Sequence, residues 1–324
     1  MSASESTERR LADALTECER LREENERLRE RLKPLQIKPS STPLSIQFAT
    51  CAEGIVTAKS SPEEKVNIFR SLFRGREDVY ALRWEGRGGK TGYSPACRKV
   101  WGAPLRQNSA EPREYFPLTD QVFHDHLTGK LTAGVYPLLT DETCWFLAAD
   151  FDKASWQDDV RAFLQTCAEW NVPAALERSR SGRGGHVWMF FDAALPASLA
   201  RKLGAAILTR TMERRHQLGL DSYDRFFPSQ DTMPKGGFGN LIALPLQYLP
   251  RSHGNSVFLN SDFVPLPDQW AFLSSVRRMS FDDVQTIVRE AERGDLIVGV
   301  RRSVTDDDSA EDPWTLPPIK EEEG

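Results

Sequence analysis

Residues 144–152 read CWFLAADFD and residues 177–191 read ERSRSGRGGHVWMFF; between them, WQDDVRAFLQTCAEWN (156–171) has the apolar spacing of an amphipathic helix. The first run is short and apolar and ends in charge, as a buried strand does at its exit from a core. The second belongs to two strands, PAALERS (173–179) and HVWMFF (186–191), separated by RSGRGG. A long helical stretch follows, LPASLARKLGAAILTRTMERRHQLG (195–219), then two more strand-like runs, YDRFFP (223–228) and LIALPL (241–246). The order is βαββαβ with one further strand. It predicts an α/β (α+β) fold class, with an RRM-like catalytic module over 144–296 and an N-terminal α/β module over 61–143.

The chemistry-bearing residues cluster at the ends of these strands. Asp150 and Asp152 are two apart, so the pleat puts both carboxylates on one face while Phe151 points into the core. Two carboxylates on one face repel, and a cation between them relieves the repulsion, which makes this strand end a candidate Mg²⁺ or Mn²⁺ site. In the RSGRGG turn, Gly182, Gly184 and Gly185 leave backbone N–H groups open beside Ser179, Ser181 and Arg183. Such a turn is an anion cradle, and His186 opens the strand that leaves it. Two-metal phosphoryl transfer calls for a third carboxylate, and Asp224 and Asp231 are both candidates. Arg251 and His253 form a second polar cluster after the LIALPL run.

The flanks differ in character. Residues 8–35 fit a heptad, with Leu11, Cys18, Asn25 and Leu32 at a and Ala14, Leu21, Leu28 and Leu35 at d. A single Asn at an a position fixes the register of parallel dimers, so residues 1–36 read as a dimeric coiled coil. A linker (37–60) follows, and SSPEEKVNIFRSLFRG carries the Ser cap, first-turn Pro and following Glu of a helix start. Residues 297–324 read as an acidic disordered tail. The chain's net charge is -5, but the segment 303–324 alone carries -7 and residues 36–302 carry +3, a balance compatible with a nucleic-acid partner. No apolar run is long enough to span a bilayer and the N-terminus has no signal-like core, so a soluble, cytoplasmic protein is expected. The five cysteines never fall in a CxxC spacing, and no zinc site is predicted. His124 and His126 read as exposed helix residues.

In order along the chain, YSPAC, GVYPLL, DETCWFLAADFD, ERSRSGRGGHVWMFF, FPSQD and GFGNLIALPLQ resemble the archaeo-eukaryotic primase superfamily, and within it the primase-polymerase domain of TOTE conflict systems, over about residues 60–280. The resemblance implies the archaeo-eukaryotic primase fold. It also implies metal ligation by Asp150, Asp152 and Asp231, with Asp224 as the reserve third ligand. His186, Ser179, Ser181, Arg183, Arg251 and His253 would contact the incoming nucleotide. The implied activity is a metal-dependent primase-polymerase that extends, and can initiate, strands from (d)NTPs on a single-stranded template. The rival reading is a non-catalytic single-strand-binding module on an RRM-like sheet. It expects aromatics on the middle strands, where this sequence has acids and a histidine.

The heptads predict that the two catalytic bodies of a dimer are tethered rather than fused. Deleting residues 1–36 should convert a dimer to a monomer by light scattering, with polymerase activity per site unchanged. A monomeric full chain, or a deletion that destroys activity, would refute this.

Overall fold

The computed structural model describes residues 20, 55–98, 114–214, 221–294 and 296. The chain divides into two compact units, Met1–Ala49 and Thr50–Gly324, and the elements described belong to the second. The expected coiled coil (apart from Arg20), most of the linker and the acidic tail lie outside the described residues. No helix among the described residues is long and apolar enough to cross a membrane.

The second unit opens with α1 (Pro62–Leu72), whose start carries the capping box expected from the sequence: the Ser61 hydroxyl accepts from the Glu64 amide and the Glu64 carboxylate accepts from the Ser61 amide. Strands β1 (Ala81–Glu85) and β2 (Thr91–Pro95) form a hairpin, followed by α2 (Asp120–Thr128) and β3 (Ala133–Val135). Then come β4 (Thr143–Phe151), α3 (Trp156–Glu169), β5 (Ala175–Arg178), β6 (Gly185–Pro196), α4 (Ala197–Arg214) and β7 (Tyr223–Phe227). The last elements are β8 (Ile242–Ala243), α5 (Tyr248–Ser252), β9 (Val257–Phe258), α6 (Gln269–Ser275) and α7 (Phe281–Arg293).

Two antiparallel sheets result, one in the order β2-β1-β3-β8 and the other β7-β4-β6-β5-β9. The βαββαβ order read from the sequence therefore builds the larger sheet, with the two strands read around RSGRGG pairing as a hairpin. The alternation along β4 assigns its two faces. Leu147, Ala149 and Phe151 face helices: Phe151 meets Phe163 of α3 edge-on at 5.5 Å, and Leu147 lies against Gly204 of α4. Phe146 and Asp150 lie on the other face, where Phe146 packs on Trp188 of β6 at 5.1 Å and Phe73 stands edge-on to Trp188 at 5.0 Å. Trp188, Phe146, Phe190 and Phe73 are essentially inaccessible to solvent, and burying each contributes about 2–3 kcal/mol.

Two expectations are corrected here. LIALPL does not extend the larger sheet: only Ile242–Ala243 is extended, and it pairs with β3 in the smaller sheet. Pro245 has no N–H for a ladder and Leu246 turns to a positive φ of 62°, so the run stops and the chain bends away. The fifth strand of the larger sheet is Val257–Phe258 instead, paired with Glu177 and Arg178. A segment from beyond residue 144 thereby completes the smaller sheet.

His126 is not an exposed helix residue. It is fully buried; its Nδ1 accepts from the Ala133 amide at 3.0 Å, which leaves Nε2 as the donor to the Pro245 carbonyl at 2.9 Å. One neutral imidazole thus ties α2, β3 and the chain leaving β8 together. Burial pushes its pKa down from 6.5 to about 4. The unfolded chain therefore takes up this proton first, and stability present above pH 6.5 is lost as pH falls toward 4, by at most about 3 kcal/mol. Denaturant titrations from pH 7 to 4.5 should show this loss, and His126→Gln should be less stable at pH 7 with a flatter pH dependence. An unaltered pH dependence in the variant would refute the assignment.

Candidate active site

Cross-strand register lines up one row of side chains across the larger sheet. Asp150 of β4 stands opposite His186 of β6, and His186 stands opposite Glu177 of β5. On the other side of β4, a register shift between Ala149 and Phe151 brings Asp224 of β7 alongside. Directly opposed residues point to the same face, so Asp224, Asp150, His186 and Glu177 make a polar row where the aromatic core of that face ends. Asp152, two residues on, adds its carboxylate.

Ligand atoms of Asp150, Asp152 and Asp224 lie within 4.8 Å of one another. Asp150 is the half-buried member and the other two are exposed. Burial raises the Asp150 pKa from 3.8 to about 6; the neighbouring Asp152 and Asp224 push the same way, while His186 pulls against them. Burial acts to lower His186, but the charge and hydrogen bond of Glu177, with Asp150 and Asp152 behind them, outweigh it and raise its pKa to about 9. The imidazole is bracketed by carboxylates, with Nδ1 2.9 Å from Glu177 Oε2 and Nε2 3.5 Å from Asp150 Oδ1.

Local structure holds the carboxylates in place. The Asp152 amide bonds the Ser222 carbonyl at 2.7 Å, and buried Asp159 of α3 accepts from the Ser222 amide at 3.1 Å and hydroxyl at 2.6 Å. The start of β7, and with it Asp224, is thereby pinned to the end of β4. The RSGRGG turn closes over the same strand end. Gly184 packs so tightly that a Cβ there would lie 2.5 Å from the Phe151 carbonyl oxygen and 2.6 Å from Asp152 Oδ1. Within the turn, the Ser179 and Ser181 hydroxyls are 3.1 Å apart and the Arg183 amide donates to Ser181 Oγ at 3.2 Å. A cleft of about 700 Å³ opens beside it, lined by Asp152, Lys153, Ala154, Trp156, Ser181 and Arg183.

The structure sorts the remaining expected site residues. Asp231 does not join the carboxylates; it pairs with Arg201 of α4. Asp224, the reserve choice, takes the third position. The reason is the register: Asp224 lies within β7, beside β4, whereas Asp231 lies beyond the strand in the loop after Pro228. Arg251 donates to the Leu127 carbonyl at 3.4 Å and lines a separate cavity with Lys65 and Trp270. His253 bonds the Leu249 carbonyl through Nδ1 at 2.9 Å. Their hydrogen-bond partners thus lie on α2 and α5 rather than among the carboxylates. Sequence reasoning missed Glu177 and Asp159. Glu177 stands opposite His186 because the strands pair up to Arg178 and Gly185, one residue short of the register that RSGRGG read as the turn would give, and Asp159 had no signal, because its partner Ser222 is 63 residues away.

The sequence profile of the TOTE conflict system archaeo-eukaryotic primase domain matches residues 64–287. The chain belongs to this family. Among curated proteins none matches the chain. Among solved structures, the polymerase domain of ligase D from Mycobacterium tuberculosis, in complex with DNA, is similar at 14% identity, covering 72% of this chain and 90% of that chain with a TM-score of 0.33. The assignment stands on the family match. In this primase domain two of the segments that carried the resemblance, those containing DFD and SGRGGH, meet at one strand end.

Gly184 is where that meeting is tightest. Gly184→Ala should still fold but lose about 1–3 kcal/mol through overpacking, with a lower Tm and at least tenfold weaker binding of Mn²⁺. An unchanged Tm together with unchanged cation affinity would refute the close seating of the turn on Asp152.

Proposed function

We propose that this primase domain is a metal-dependent nucleotidyltransferase, a DNA-directed primase-polymerase that extends a strand, and can initiate one, from (d)NTPs on a single-stranded template. The observation that carries this reading is the gathering of Asp150, Asp152 and Asp224 at one strand end, where Asp152 also lines a cleft together with Ser181 and Arg183. The βαββαβ element order, with strands in the order β7-β4-β6-β5, supports the RRM-like description of the catalytic module. The middle strands present acids and a histidine where a stacking module presents aromatics, which favours chemistry over binding alone.

The donor set fits a divalent cation. Three carboxylates converge, and the most buried of them is pushed toward protonation as long as no cation offsets its neighbours. Hard oxygen ligands of this kind suit Mg²⁺ or Mn²⁺. Asp150, Asp152 and Asp224 would hold the metal, with Asp231 replaced in that role by Asp224. When bound, such ions lower the pKa of a primer hydroxyl and stabilise a pyrophosphate leaving group.

The chain's own residues do the rest by positioning and charge. His186, cationic and aimed by Nε2 at the carboxylate end of the row, attracts the triphosphate. Ser179, Ser181 and Arg183 hold phosphate oxygens in the turn. The single-stranded template runs over the mildly basic body outside the cleft, and the N-terminal heptads make the protein a homodimer.

Primer extension with Mg²⁺ or Mn²⁺ tests the assignment. Asp150→Asn, Asp152→Asn and Asp224→Asn should each lose at least about 10³-fold in kcat/KM, equivalent to about 4 kcal/mol, while Asp231→Asn stays within a few-fold of the parent. Near-normal extension by the first three variants, or an inactive Asp231→Asn that folds normally, would overturn it.

A further inference from the structure

Glu177 is a charged side chain taken almost wholly out of water, with 2% of its surface exposed. A buried carboxylate is costly unless it is paired and hydrogen-bonded, so its partners indicate what it is for. One oxygen, Oε2, receives two donors: His186 Nδ1 at 2.9 Å and the Trp188 indole N–H at 2.8 Å. The other oxygen accepts from the Ser256 hydroxyl at 3.4 Å.

Trp188 cannot move. Its ring stands edge-on to Phe73 at 5.0 Å, lies parallel to Phe190 with centroids 6.1 Å apart and is closed off by Phe146 at 5.1 Å. The indole therefore anchors Oε2 to the aromatic core, and Oε2 in turn anchors the imidazole. An unbonded histidine can turn over about its Cβ–Cγ bond, exchanging the places of ring nitrogen and carbon. With Nδ1 held by Glu177, that rotation is blocked and Nε2 stays 3.5 Å from Asp150 Oδ1, facing the carboxylate end of the row.

We infer that Glu177 is a positioning residue for nucleotide binding: it touches no substrate, but it fixes the ring plane of His186 so that the Nε2 edge faces the carboxylate end of the row, where the triphosphate of the incoming nucleotide binds. This rests on the nucleotidyltransferase reading above and specifies how one of its phosphate contacts is oriented. The arrangement relays order from core to site through three side chains on adjacent strands, Trp188, Glu177 and His186. Ser256, from the β9 side, holds the second oxygen and stops the carboxylate from rotating away.

The test is a double-mutant cycle read by nucleotide binding. Glu177→Gln keeps the shape and an acceptor for Trp188. Binding of a non-hydrolysable dNTP analogue in the presence of Mn²⁺, measured by calorimetry on the full chain, should weaken at least tenfold in Glu177→Gln and by a similar factor in His186→Ala. The double variant should be no weaker than His186→Ala alone, because residues that act through one another do not add. In extension assays the loss should fall mainly on the nucleotide KM, and affinity for single-stranded DNA should change less than twofold. The Nδ1–H resonance of His186, protected from solvent exchange in the parent, should lose its protection in Glu177→Gln. Losses that multiply in the double variant, or full nucleotide affinity in Glu177→Gln, would overturn the positioning role. A parent chain that binds no nucleotide in either metal would overturn the nucleotidyltransferase reading itself and this inference with it. If Glu177→Gln fails to fold, Trp188→Phe, which removes the anchor of Oε2 but keeps the packing, should produce a weaker loss of the same kind; unchanged affinity there would overturn the relay.

Discussion

The antiparallel register of β4 against β6 is the constraint on which the rest depends. Pairing Asp150 with His186 also pairs Ala148 with Trp188 and Phe146 with Phe190, so one alignment places both the aromatic core and the polar row on the same face. A slip of one residue would turn Phe146 and Trp188 away from Phe73, and at about 2–3 kcal/mol per large side chain the loss would exceed the stability of a typical domain once the neighbouring rings followed. The site therefore inherits its geometry from hydrophobic burial.

This matters because the row itself is electrostatically unfavourable. Three carboxylates converge beside an apolar wall, and the deepest of them is driven toward its neutral form. His186 offsets part of the repulsion, and Glu177 keeps His186 charged against the cost of its burial. The result is a cluster of like charges at a defined place on the protein surface. Such a cluster costs stability, and it is tolerated where core packing is ample.

The two sheets are not successive modules. The strand after β7, Ile242–Ala243, completes the smaller sheet, and buried His126 bonds the chain immediately beyond it. The loop between β7 and β8, which contains Asp231, thus bridges from one sheet to the other, and Asp231 finds Arg201 on the way. Its pairing there is a matter of anchoring the crossing, which leaves the third carboxylate to the strand that lies beside Asp150.

The sequence by itself determined the element order from β4 to β7, the shared face of Asp150 and Asp152, the glycine turn leading into His186 and the cap of α1, because each of these follows from spacing within a short stretch of chain. The family, too, was legible from motifs in order. Tertiary structure alone brought Asp224, and not Asp231, beside Asp150 and Asp152, buried His126, sent LIALPL to the other sheet and joined Asp159 to Ser222. Each of those depends on which distant segment packs alongside. Pleat and helix periodicity place a side chain on its own element's face, but only the register between elements, set by the burial of the whole core, decides what that face meets.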